Sequence, residues 1–192
     1  KLFSQTALEV CEGQQYDIDF ESSTTVAISD YLMMIEKKTA LLLAYSLRIG
    51  AYIAGASEQE QDALFQYGRH IGIAFQIQDD VLDVYGDPSN FGKAIGGDIC
   101  CNKKTFLLLT ALDIADAESK ASLLQWLITS NKNAEKIQAV TALYTQLGVR
   151  EIGEAVMEDH TAQALAQLEL LPQNDYTNQL RVLAEKLATR KR

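Results

Sequence analysis

Proline is almost absent from this chain, with two in 192 residues, and no stretch alternates apolar and polar residues long enough to mark a strand. Helices can therefore run on with few breaks, and a sheet is not expected. Cysteine is scarce as well. Cys11, Cys100 and Cys101 are odd in number and lack metal-ligand spacing, which excludes a disulfide framework and leaves reduced thiols. The two histidines, His70 and His160, have nothing in the sequence to orient them as a general base. Basic excess is missing too: the net charge of −9 argues against nucleic acid, whose backbone is bound by surplus Lys and Arg. No apolar run reaches the roughly 18 residues of a membrane span, and no signal peptide is visible. Stable membrane insertion is not expected, and the cytoplasm is the default location.

What is present is a core. With 47% hydrophobic residues, no internal repeat and no low-complexity linker, residues 1–192 read as one all-α domain. Leu2, Leu8 and Val10 fit the middle of an amphipathic helix. Ser29 or Asp30 caps an apolar helix from Tyr31 to Ala54, and Ser57 with Glu60 forms a capping box for a helix that runs through Val84. Gly86 and Asp87-Pro88 end it, and residues 86–102 read as a loop. Lys103-Lys104-Thr105 opens a helix to Ile114, and another carries Trp126. A long helix from Asn133 to Leu171, broken at Gly148 or Gly153, precedes a last one from Asp175.

Chemistry concentrates between Gly72 and Thr105. Asp79 and Asp83 lie on one helical face, Asp80 about 100° around from Asp79, and Gln76 close to one turn earlier. Like charges so spaced repel. A helix that keeps them amid Phe75, Ile77, Val81 and Leu82 implies a cation, and oxygen-only ligands suit Mg²⁺ or Ca²⁺ better than zinc. Lys93, Asp98, Lys103 and Lys104 follow in a stretch punctuated by Gly86, Gly92, Gly96 and Gly97, the kind of loop that brings ammonium and backbone N–H groups to a phosphate. Alone, the aspartate triplet reads equally as a solvated helix face. With the lysine loop behind it, the reading is a magnesium-bridged diphosphate site. Upstream, Lys38-Thr39 alone fits a snorkelling lysine on an amphipathic helix, and Gln14 with Asp17 fits a helix end with solvated acids.

Phe75-Gln76-Ile77 before Asp79-Asp80-Val81-Leu82-Asp83, then Gly92-Lys93, Gly97-Asp98-Ile99 and Lys103, closely resembles the second aspartate-rich region of the trans-isoprenyl diphosphate synthases. Gly13-Gln14 with Asp17, and Lys38-Thr39-Ala40, match further motifs of that family in order. The resemblance covers roughly the first 110 residues with specific motifs. It implies an isoprenoid-synthase-type helical bundle and a prenyltransferase that condenses isopentenyl diphosphate with an allylic diphosphate to a linear product.

By resemblance, Mg²⁺ is the cofactor, bound by Asp79 and Asp83 with Asp80 and Asp98 as nearby or water-mediated support. Lys38, Lys93 and Lys103 contact diphosphate oxygens. Lys38-Thr39 bends its helix and faces the allylic chain beside Gln76, and Gln14 and Asp17 support the metal cluster. A homodimer is implied. The family's earlier aspartate-rich motif has no counterpart here, and the chain opens on Lys1, so the expectation is the C-terminal part of a longer synthase, poorly active alone. A non-catalytic subunit of a heteromeric synthase and a terpene cyclase are the alternatives.

Overall fold

The computed structural model describes residues 2–87, 95–129 and 134–189. Helices account for most of them, and there is no strand among the described residues. In chain order they are α1 (Leu2–Ser22), α2 (Ile28–Ile35), a π-helical turn (Glu36–Ala40), α3 (Leu41–Ile53), α4 (Glu58–Tyr85) and α5 (Gly97–Cys100). Then follow α6 (Phe106–Ile114), α7 (Ala117–Ile128), α8 (Ala134–Gln146), α9 (Val149–Leu168) and α10 (Asp175–Ala188).

Side-chain caps explain the starts of α4, α6, α7 and α10. Ser57 Oγ accepts from the Glu60 N–H at 3.3 Å while the Glu60 carboxylate takes the Ser57 N–H at 2.8 Å, which is the capping box expected from sequence. Thr105, Asp116 and Asn174 accept first-turn N–H groups for α6, α7 and α10 in the same way.

Three features differ from the sequence reading. The cap of α2 is Ala27, not Ser29 or Asp30: Asp30 works from inside the first turn, where its carboxylate accepts the Ala27 N–H at 3.0 Å. The apolar stretch from Tyr31 to Ala54 is interrupted by the π-helical turn, which apolar periodicity cannot register. The segment read as loop contains the one-turn helix α5. Of the two glycines proposed to break the long C-terminal helix, Gly148 does so, whereas Gly153 sits inside α9 against Val81 and Leu107.

Helix α4 is the axis. It packs against α3 on one side and α9 on the other, and residues on all its sides are buried, among them Ile71, Ile73, Ala74, Ile77 and Val81. The main core gathers Tyr31, Ile77, Leu107, Leu123 and Val149 around its C-terminal half. Full burial of one such aliphatic side chain stabilises the fold by about 2 kcal/mol. A second cluster of Tyr67, Ile71, Leu168 and Ala184 joins the start of α4 to α9 and α10. Among the described residues no helix is long and apolar enough to cross a membrane.

Candidate active site

The π-helical turn begins the site. Its closing bond runs from the Leu41 N–H to the Glu36 carbonyl, five residues back, so one extra residue bulges from the helix. Two glycines receive the bulge. A Cβ at Gly13 on α1 would stand 2.4 Å from the Lys38 nitrogen, and one at Gly72 on α4 would stand 2.4 Å from Ala40 Cα. No larger residue fits either notch without moving backbone. Ion pairs hold the turn from both sides: Arg69 forks onto Glu36 with two bonds of 2.7 Å, and Lys37 reaches Glu9 at 2.7 Å and Glu12 at 2.6 Å.

The bulge aims Lys38 and Thr39 at neighbouring helices. Lys38 Nζ pairs with the Asp17 carboxylate, and Thr39 Oγ1 donates to Gln76 Oε1 at 3.2 Å. Thr39 therefore couples α4 to the π turn through its side chain rather than bonding back to a carbonyl of its own helix. Four residues singled out in the sequence, Asp17, Lys38, Thr39 and Gln76, are brought together here. Gln14 is exposed on α1.

One and two turns further along α4 stand the aspartates. The Asp83 carbonyl accepts the Gly96 N–H at 2.7 Å and its carboxylate accepts the Asp98 N–H at 3.0 Å, so α5 is pinned against the end of α4. That pin carries Asp98 and Lys103 to the acidic face. Their charged groups are 3.9 Å apart. Asp98 is pushed above the usual carboxylate range by burial first, partly countered by Lys103 and reinforced by Asp83, Asp17 and Asp79. For Lys103, burial works against the charge, but Asp98, Asp80, Asp17 and Asp83 outweigh it and hold the ammonium above its ordinary value. Asp17 thus sits in the field of both lysines, which joins the π turn and the acidic end of α4 into one site.

Asp80 lies apart from the other aspartates. Placed beside the metal ligands from the sequence, it instead turns into the core, 3% exposed, where its Oδ2 accepts the Tyr31 hydroxyl at 2.5 Å and the Phe106 N–H at 3.0 Å. The 100° step from Asp79 rotates it away from the acidic face. Burial raises Asp80 to about 7, against the lowering effect of those two hydrogen bonds. Sequence reading gave no role to Tyr31, because nothing local links it to a residue on α4. Lys93 lies outside the described residues. Lys104 lines a separate groove with Thr25, Asp30 and Lys120.

The donors left on the acidic face are Asp79, Asp83 and Asp98, all hard oxygens. Among the described residues no three histidine, cysteine or carboxylate side chains converge closely enough to chelate an ion by themselves. That arrangement fits Mg²⁺, which takes one or two carboxylates and completes its shell with water and substrate phosphate. Besides burial, the charges of Asp83, Asp17 and Asp79 raise Asp98, a negative surplus that such an ion would relieve.

A helical bundle whose central helix carries aspartates, with Lys38 from a π-helical turn and Lys103 from the loop after α5 beside them, is the isoprenoid-synthase type of fold expected from the sequence. Comparison with known proteins makes the family explicit. The chain belongs to the polyprenyl synthetase family, whose model matches residues 1–145. It is 36% identical over 180 residues to a short chain isoprenyl diphosphate synthase of Methanothermobacter thermautotrophicus, covering 94% of this chain and 55% of that protein. A solved geranylgeranyl pyrophosphate synthase superposes with a TM-score of 0.91 at 39% identity, covering 100% of this chain and 60% of its own. The geranylgeranyl pyrophosphate synthase of Corynebacterium glutamicum, solved in complex with isoprenyl diphosphate and magnesium, gives 0.90 at 35% identity, covering 98% of this chain and 54% of the other. The chain spans about half the length of the curated relatives it matches.

Proposed function

We propose that the protein carrying this chain is a prenyltransferase that condenses isopentenyl diphosphate with an allylic diphosphate to give a linear isoprenyl diphosphate. The observation that carries the reading is the field at Lys103, where Asp98, Asp80, Asp17 and Asp83 all act on one buried-stem lysine next to the Lys38–Asp17 pair. Such a surplus of carboxylates between two lysines suits an anionic diphosphate that arrives with divalent cations. Magnesium, when bound, would neutralise the charge that develops on the departing diphosphate. Asp79, Asp83 and Asp98 are the residues that would hold it. A likeness to a relative solved with isoprenyl diphosphate and magnesium supports the same assignment.

The chain's own residues supply the rest. Lys38 and Lys103 would bind diphosphate oxygens as point charges, exchanging their present carboxylate partners for phosphate. Thr39 and Gln76, bonded to each other, fix the wall that the allylic chain runs along. The π turn puts polarised backbone and side-chain oxygens beside that wall, where an allylic cation is stabilised by dipoles rather than by a base. His70 and His160 have no part in this chemistry, since both rings are turned into a seam between α4 and α9. The reading includes a homodimer, and the 192-residue chain by itself is expected to turn over little.

The test uses the native-length protein with Mg²⁺, isopentenyl diphosphate and each allylic primer in turn, beside an Asp79→Ala variant, with products analysed by mass. Linear products that vanish in the variant support the synthase. Cyclic hydrocarbons formed from a longer diphosphate would replace it with a cyclase, and no condensation with any primer would leave a non-catalytic subunit.

A further inference from the structure

Lys136 is the most deeply buried cation among the described residues. It stands in the first turn of α8, where the helix dipole opposes positive charge, and its side chain is 1% exposed. Two costs at one residue call for a specific return. One such return is visible at Asn102, whose Oδ1 accepts from Lys136 Nζ at 2.6 Å.

Asn102 is the hinge of the loop that bears the site. Among the described residues it is the non-glycine residue with a positive φ, +55°, a conformation that a short polar side chain tolerates when it is tied down. Its tie is double: besides Lys136, its Nδ2 donates to the Leu127 carbonyl at the end of α7, 2.8 Å away. The residues on either side depend on that turn. The Asn102 N–H bonds the Ile99 carbonyl at 3.2 Å, closing α5, and the next N–H, that of Lys103, reaches back to the Asp98 carbonyl at 3.0 Å. Lys103 is thereby turned over α5 so that its ammonium meets Asp98. A small cavity lined by Asp98, Asn102, Lys103 and Lys136 places the buried lysine directly beneath this loop.

We propose that Lys136 is a positioning residue for the diphosphate site: its buried ammonium clamps Asn102 in the left-handed turn that sets Lys103 opposite Asp98. The proposal rests on the diphosphate-binding function above. Lys136 touches no substrate. It acts through Asn102, and Asn102 acts through the direction it gives to Lys103.

Calorimetric titration of the native-length protein with inorganic pyrophosphate in the presence of Mg²⁺ tests it. Lys136→Met and Asn102→Gly should each weaken pyrophosphate binding about tenfold, the scale of losing one charge-assisted bond that supports a ligand group. Glycine keeps the positive φ but removes the clamp. In the double variant the second change should add less than about twofold, because both break one path. Leu168→Ala, in the second core cluster, should lower the melting temperature as much and leave pyrophosphate affinity unchanged. Wild-type affinity in Lys136→Met, or losses that multiply in the double variant, would overturn the proposal. Should Lys136→Met not fold, unchanged affinity in Asn102→Gly overturns it alone. A wild-type protein that binds no pyrophosphate would remove the diphosphate function itself, a different failure from either.

Discussion

Two adjacent aspartates on α4 belong to opposite kinds of environment. Around Asp80 every strong polar group is answered inside the protein: the Tyr31 hydroxyl and the Phe106 N–H both end on its carboxylate, and none of the three is open to water. Asp79 instead shares a neighbourhood with Asp17, Asp83 and Asp98, and the Asp98 carboxyl is raised by burial first and then by the other three, with Lys103 acting the other way. A closed polar network stabilises a core, whereas a region left with surplus charge is prepared for something that arrives from outside. The same contrast separates the two ends of α4. At the far end His70 Nδ1 and His160 Nδ1 face each other at 3.0 Å, one donating and one accepting, and the Tyr67 hydroxyl donates to the Leu180 carbonyl at 2.7 Å.

Substitution should drive the neighbours apart. Asp79→Ala is expected to lose about 10²–10³-fold in kcat, the scale of removing one electrostatic group from a transition state, with little change in melting temperature. Asp80→Ala is expected to do the reverse. It leaves two buried donors without an acceptor, which costs about 3 kcal/mol in urea unfolding, yet turnover should persist below its lowered melting temperature. Equal losses of activity in both variants, at matched stability, would erase the distinction drawn between the two residues.

A third variant asks whether the π turn belongs to the prepared region. Gly72→Ala introduces a methyl whose ideal position is 2.4 Å from Ala40 Cα, and is expected to cost about 2 kcal/mol of stability as overpacking. Because Thr39 reads out the position of that turn, the KM for the allylic substrate should rise as well. A variant that unfolds more easily but keeps its KM would show that the turn's position does not matter to substrate binding.

The smallest effect is expected at the histidine seam. His70 is held down to about 4 by burial first, then by His160 and Arg69, with Glu36 and Asp159 pulling the other way, and His160 is also lowered by burial. The unfolded chain takes up protons near pH 6.5 that the folded one refuses until about 4. Folding stability is therefore full above about pH 6.5 and falls as the pH drops toward 4, by about 1 kcal/mol after allowance for partial solvent screening. Urea unfolding at pH 7 and pH 4.5 of wild type and His70→Gln isolates this part. An identical loss on acidification in both proteins would show that the closed seam carries no such linkage.

Much of this was readable along the chain. Ser57 and Glu60 announce α4 through bonds three residues apart, and the Asp79/Asp83 face follows from helical spacing alone. Lys38, Thr39 and Gln76 were singled out by motif, and the fold brings them together with Asp17. The burial of Asp80 was not readable, because two residues 100° apart on a helix look alike in a sequence until the neighbouring helix chooses a side. Lys136 shows the same limit: nothing near it in the sequence marks it as buried or joins it to Asn102, 34 residues away.

By itself, then, the sequence determined what depends on near neighbours: an all-helical chain, the capping box that opens α4 and the acidic stripe along it. These follow from short-range hydrogen bonding and the 3.6-residue period, which need no knowledge of distant residues. Only the tertiary structure decided which carboxylate enters the core, where the π turn is wedged between Gly13 and Gly72, and which buried lysine steadies the site loop. Those outcomes depend on packing between helices far apart in the chain, where an atom's burial and its partners are set by surfaces that the local sequence does not contain.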